Sequence, residues 1–117
     1  MAFADPQSVT INAEAQSLPR VSVGSSESTY RKADGTVQLR ISHQTNKKRI
    51  RRMVRLDQTI VAADPLTAEN AFQKAGVYLV VDEPEIGFTD EQVDYLADAL
   101  IAFMTPANIA KVLGGET

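Results

Sequence analysis

Residues 37–42 alternate without a break, Val37, Leu39 and Ile41 against Gln38, Arg40 and Ser42. Successive side chains of a strand point to opposite faces, so this segment has one core face and one polar face. Weaker alternation predicts an N-terminal hairpin over 8–23, its strands at 8–11 and 16–23 joined through Asn12-Ala13-Glu14-Ala15, with Pro19 marking the second strand as an edge. Gly24-Ser25-Ser26 is a turn, a polar strand follows at 28–32, and Asp34-Gly35 is a strong hairpin signal. His43-Gln44-Thr45-Asn46 is the next predicted turn, after which a basic strand runs on through Val54, Leu56 and Ile60 to Ala63, where Asp64-Pro65 ends it. Residues 66–74 lack periodicity and read as a loop, with room for a short strand before it. A last strand is predicted at 75–81, with Val77, Leu79 and Val81 inward and Tyr78 and Val80 outward. The antiparallel sheet therefore occupies 27–82.

At Pro84 the period changes from strand to helix. Thr89-Asp90-Glu91-Gln92 is a capping box, in which the Thr89 hydroxyl accepts from the third helical amide while Gln92 reaches back. Phe88 and Val93 stand where a hydrophobic staple forms, and Asp90 and Glu91 suit the positive helix end. Val93, Leu96, Ala97, Leu100, Phe103 and Met104 then recur at helical spacing. Thr105-Pro106 stops this helix and starts a second, which runs to Leu113 with Gly114 as its left-handed cap. The helices lie within 89–113. The fold class is α+β: an N-terminal hairpin, a five-stranded antiparallel sheet and two C-terminal helices.

A chain of 117 residues suits one domain, spanning 1–117, with one core. The two helices are the evident cover for the sheet's apolar face, yet the run 99–104 makes the first helix apolar nearly all round. Such a helix needs neighbours on several sides. We expect an obligate homodimer in which the helices cross onto the partner's sheet; the competing arrangement is a monomer with its helices folded back.

Charge adds a partner. The chain is acidic overall, with a net charge of -3, but nine of its twelve Lys and Arg fall within 31–55, and 82–98 holds seven acidic residues and no basic one. The stretch K-K-R-I-R-R-M-V-R at 47–55 is the densest part of this segregation. On a strand Arg51, Met53 and Arg55 share one face and Arg52, Val54 and Leu56 the other, so the first set suits a polyanion surface. The competing reading is a solvated hairpin whose charges keep an edge soluble.

Several classes find no support. There is no cysteine, hence no disulfide, thiolate metal site or thiol nucleophile. The single histidine, His43, lies in a predicted turn; no Ser-His-acid grouping or phosphate-cradling glycine pattern occurs, and Asp82-Glu83-Pro84-Glu85 reads as a solvated turn. We expect neither an enzyme, a cofactor nor a metal. No apolar run is long enough for a membrane span, and the N-terminus lacks the features of a secretory signal, so the protein is expected to be used where it is made.

In order and spacing these elements resemble the coat protein of the small single-stranded RNA bacteriophages, the levivirus type. The resemblance covers nearly the whole chain. It is carried by F-T-D-E-Q-V-D-Y-L-A-D-A-L-I-A-F-M-T-P at 88–106, similar to the family's capped helix, proline break and second helix. V-Q-L-R-I-S-H-Q-T-N-K-K-R-I-R-R-M-V-R-L at 37–56 resembles its central hairpin with a basic strand. The resemblance implies interlocked helices, a ten-stranded dimer sheet, and an icosahedral shell assembled in the bacterial host cytoplasm. It also implies that the inner sheet face binds a hairpin of the single-stranded genomic RNA, for packaging and translational repression. By position, the RNA-facing residues are Gln38, Arg40, Ser42, Arg51, Met53 and Arg55. Tyr78 points to the same face and is a candidate for stacking on a base, although the family's stacking tyrosine falls by parity nearer Lys74 or Gly76. Gln38 and Arg40 stand where small hydroxyl residues are common in that family, and Met53 where a polar residue is common. The loop 66–74 is implied to sit at the shell's symmetry axes. Two rivals remain: a dimeric RNA-binding regulator that builds no shell, and an oligomer without nucleic acid.

Overall fold

The computed structural model describes residues 3–117. Its N-terminal hairpin pairs β1 (Gln7–Ile11) with β2 (Glu14–Leu18) across a tight turn in which Asn12 and Ala13 both take positive φ. The chain then enters a five-stranded antiparallel meander in sequential order: β3 (Arg20–Val23), β4 (Glu27–Arg31), β5 (Val37–Asn46), β6 (Arg49–Ala63) and β7 (Asn70–Pro84). Two helices follow, α1 (Asp90–Phe103) and α2 (Pro106–Leu113), bent 75° at the Thr105-Pro106 break. Neither is long and apolar enough to cross a membrane alone.

Three boundaries differ from expectation, each for a local reason. Pro19 does more than mark an edge: it splits the expected strand 16–23, so 14–18 completes the hairpin and 20–23 joins the main sheet as its fifth strand. The predicted turn at 43–46 is strand, because the reversal is made by Lys47-Lys48, with Lys47 at φ 50°. The apparent loop 66–74 is strand from Asn70 onward, since register pairing with β6 overrides its weak alternation. The remaining loop is pinned by Asp64, whose carboxylate accepts from the Leu66 amide at 2.8 Å.

The β4–β5 turn is held by Asp34, which accepts from the Thr36 hydroxyl at 2.7 Å and the Thr36 amide at 2.9 Å. Those two bonds keep the Asp34 carboxyl below its ordinary pKa. The helix signals act as anticipated: Thr89 accepts from the Gln92 amide at 3.2 Å, and the Gln92 side chain accepts from the Thr89 amide at 3.0 Å. At the end of α2 the left-handed residue is Gly115 (φ 80°), one place beyond the expected Gly114 (φ -80°).

The core was expected under the helices; it lies under the hairpin. Leu18, Tyr30, Val37 and Ile41 are buried together, with Val9, Ile11, Leu39 and Leu56 packed against them. Register explains the set, because Tyr30 opposes Leu39, Leu39 opposes Leu56, and Ile41 opposes Val54 on one face. The hydroxyl of the fully buried Tyr30 accepts from Arg20 Nη2 at 2.9 Å and Nε at 3.2 Å, which places the guanidinium carbon 5.3 Å from the ring centre. No residue of α1 or α2 is buried.

Candidate nucleic-acid interface

The strand registers lay out the opposite face row by row. Gln38, Asp57 and Gly76 stand side by side on β5, β6 and β7; next come Arg40, Arg55 and Tyr78; then Ser42, Met53 and Val80; then Gln44, Arg51 and Asp82. All seven residues singled out from the sequence, Gln38, Arg40, Ser42, Arg51, Met53, Arg55 and Tyr78, thus share the face turned away from the hairpin core. Ser42, Gln44, Arg51 and Met53 enclose a hollow of about 220 Å³, open at the surface. Lys74 and Gly76 share the face as well, but the residue opposite Arg55 is Tyr78.

The expected cationic lining is mixed in sign. Arg31, Arg40, Arg49, Arg51, Arg55 and Lys74 lie on this face, and so do Glu27, Asp57 and Asp82. Arg40 Nη2 reaches Glu27 at 2.6 Å, Arg49 Nε reaches Asp82 at 3.0 Å, and Arg55 Nε reaches Asp57 at 3.0 Å. Among the described residues Arg51 has no acidic partner within salt-bridge distance. The carboxylates answer a local problem: Arg40 and Arg55 are direct cross-strand neighbours, and like charges so placed repel. Glu27 draws one arginine toward β4 while Asp57 holds the other toward β7. The face keeps a positive excess, concentrated toward the Lys47-Lys48 turn.

Arg49, Gln44, Glu27, Asp57 and Asp82 were missed from the sequence as members of this face, whereas Gly76 was placed on it by parity. Arg49 and Asp57 were readable by extending the alternation of Arg51, Met53 and Arg55 two places each way. Glu27 and Asp82 needed the register. His43 lies on the other face, its Nδ1 3.4 Å from Arg52 Nη1, and Arg52 in turn bonds Glu83 at 3.1 Å. Among the described residues no cluster of His, Asp and Glu is arranged to hold a metal ion.

The family described as phage phiCb5 coat protein matches residues 4–84, the hairpin and the whole sheet. The chain belongs to that coat-protein family. This coat protein also shares its fold with the virus-like particle of bacteriophage AVE019, at TM-score 0.81 and 13% identity over 97% of each chain. The virus-like particle of Beihai levi-like virus 21 is similar at TM-score 0.72 and 9% identity, covering 99% of this chain and 98% of the other. The bacteriophage EMS014 coat protein is similar at TM-score 0.64 and 12% identity, covering 84% and 72%. No curated protein matches the sequence. The family match ends where the helices begin, whereas the first two structural likenesses cover nearly the entire chain, helices included.

Proposed function

We propose that this coat protein forms homodimers that assemble into an icosahedral shell around single-stranded RNA. Its hairpin-free sheet face binds the genome, including an operator hairpin whose capture represses translation and marks the RNA for packaging. The observation that carries the RNA reading is the row-by-row face bearing Gln38, Arg40, Ser42, Arg51, Met53, Arg55 and Tyr78, opposite the covered core. An open, two-dimensional surface with a positive excess suits a folded strand whose phosphates and unstacked bases are both accessible.

Self-association is supported by how little the chain covers itself. The accessible surface is 9226 Å², against about 6,200 Å² for a compact protein of this mass. The radius of gyration is 17.1 Å, against about 13 Å for a compact chain of this length. The surplus, about 3,000 Å², suffices for an obligate dimer interface with surface left for contacts between dimers. It is concentrated where strand and helix lack neighbours: Val77 is 77% exposed, Ile101 60% and Phe103 62%. β7 also offers a 15-residue outer edge that no described strand pairs, which suits edge-to-edge joining into a ten-stranded sheet. The loop between β6 and β7, with Leu66 95% exposed, suits contacts between dimers. Assembly in the bacterial cytoplasm and residence in the virion follow from this role.

The test is expression of the chain alone, followed by size exclusion, negative-stain microscopy and the 260/280 nm absorbance ratio. Shells carrying RNA are expected. Arg51→Glu with Arg55→Glu should strip the RNA and lower the salt-dependence slope of binding by about 1.4, at about 0.7 per lost phosphate contact. Discrete dimers that bind RNA at every salt concentration would favour a regulator, and nucleic-acid-free particles a structural oligomer.

A further inference from the structure

One member of the RNA-facing rows is an acid that solvent hardly reaches. Asp57 is 4% exposed although it stands on the face turned away from the hairpin. Its cover is Arg55, two residues earlier on the same face, whose Nε donates to Asp57 Oδ1 at 3.0 Å. The space for the carboxylate comes from β7. Gly76 stands directly opposite Asp57, and a Cβ at that position would lie 2.3 Å from Asp57 Oδ1 and 3.5 Å from Arg55 Nε and Nη2. Only a residue without a side chain leaves Asp57 where it is. Across the next row the Arg55 guanidinium lies 5.4 Å from the centre of the Tyr78 ring.

Arg55 is thus fixed on two sides, by a carboxylate at its Nε edge and an aromatic ring at one face. Only its Nε is hydrogen-bonded among the described residues, and the side chain is 41% exposed. Arg40 differs: its partner Glu27 is half exposed and free to yield to a phosphate. A guanidinium plane is itself a stacking surface for nucleobases. Tyr78 itself stays 58% exposed, so a base reaching this row meets the guanidinium and the ring side by side.

We propose that Asp57 is a positioning residue for RNA: lodged in the space left by Gly76, it holds the Arg55 guanidinium beside Tyr78 so that an unpaired base stacks on the guanidinium. This rests on the RNA reading above and makes a counterintuitive claim. Removing a negative charge from an RNA-facing sheet should tighten binding by simple electrostatics; here it should weaken it.

The probe is a fluorescein-labelled 12-nucleotide oligo(rA), compared with an abasic strand of equal length, titrated against the full-length assembled protein dissociated to its smallest stable oligomer. Asp57→Asn should weaken oligo(rA) binding about fivefold or more, the lower end of one base stack, and leave the abasic strand unchanged. Gly76→Ala should do the same, because its methyl displaces the carboxylate. In an Arg55→Ala background Asp57→Asn should have no further effect. Equal or tighter binding by Asp57→Asn, a wild-type affinity in Gly76→Ala, equal losses on both strands, or a loss that persists without Arg55 would each overturn the proposal. Failure of the RNA reading looks different: the unaltered protein would bind neither strand at low salt, and Arg51→Glu would change nothing.

Discussion

The two ends of the sheet carry the same kind of apolar alternation and meet opposite fates. On β4 and β5, Tyr30, Val37 and Ile41 are buried because β1 and β2 fold over them. On β7, Val77 continues the same face yet stands almost bare, and no residue of the helices that follow is buried. Hydrophobic pattern thus selects a face but does not say whose chain covers it. The hairpin end is complete within one chain, and the helix end is left open, as the proposed dimer requires.

Charge placed in the helix end breaks this comparison most sharply. Leu100 is 48% exposed and lines, with Leu79, Val93 and Leu96, a groove of about 210 Å³ between α1 and the end of β7. If a second copy fills that groove, Leu100→Asp buries an unpaired carboxylate at the interface. The expected result is a loss of dimer affinity of about a hundredfold or more and no particles, read by native mass spectrometry across a dilution series. Shells of normal size from this variant would remove the helix face from the interface.

The hairpin end is tested by Leu18→Ala, which empties a fully buried site. A cost of about 3 kcal/mol is expected from lost burial and residual cavity, measured by urea denaturation. Below its lowered melting temperature the variant should still build particles, because Leu18 faces its own sheet. Loss of particles without loss of stability would mean that the hairpin also serves a neighbour.

Legibility followed the same division. Residues 37–42 and 89–106 were readable because each signal is local: an unbroken period of two, and a cap whose partners lie three residues apart. The strand at 70–74 was not, because Ala71, Phe72, Gln73 and Lys74 take their conformation from pairing with residues 59–62 of β6. The third strand was hidden by Pro19, whose effect depends on where the hairpin ends. The residues proposed to face RNA follow from strand parity alone, so they were found together. The ion pairs that partly neutralise them follow from register, which unites Arg40 with Glu27 and Arg49 with Asp82 across 13 and 33 residues of sequence.

The smallest effect concerns what holds the helix end in shape before a neighbour arrives. With no buried residue, α1 relies on local interactions within its own protomer: the Thr89 and Gln92 capping box, and the Tyr95 hydroxyl donating to Glu91 at 2.7 Å one turn back. That bond also raises the Tyr95 pKa above its ordinary value. Thr89→Ala removes the acceptor for the Gln92 amide and should cost about 1 kcal/mol. Because α1 has little tertiary packing to compensate, the loss should appear first as faster hydrogen exchange at Gln92 and Val93, with exchange at Tyr30 and Leu39 unchanged. If the assembled particle instead protects those helical amides equally in both proteins, the neighbour and not the cap orders α1, and the division between a finished end and an open end becomes sharper still.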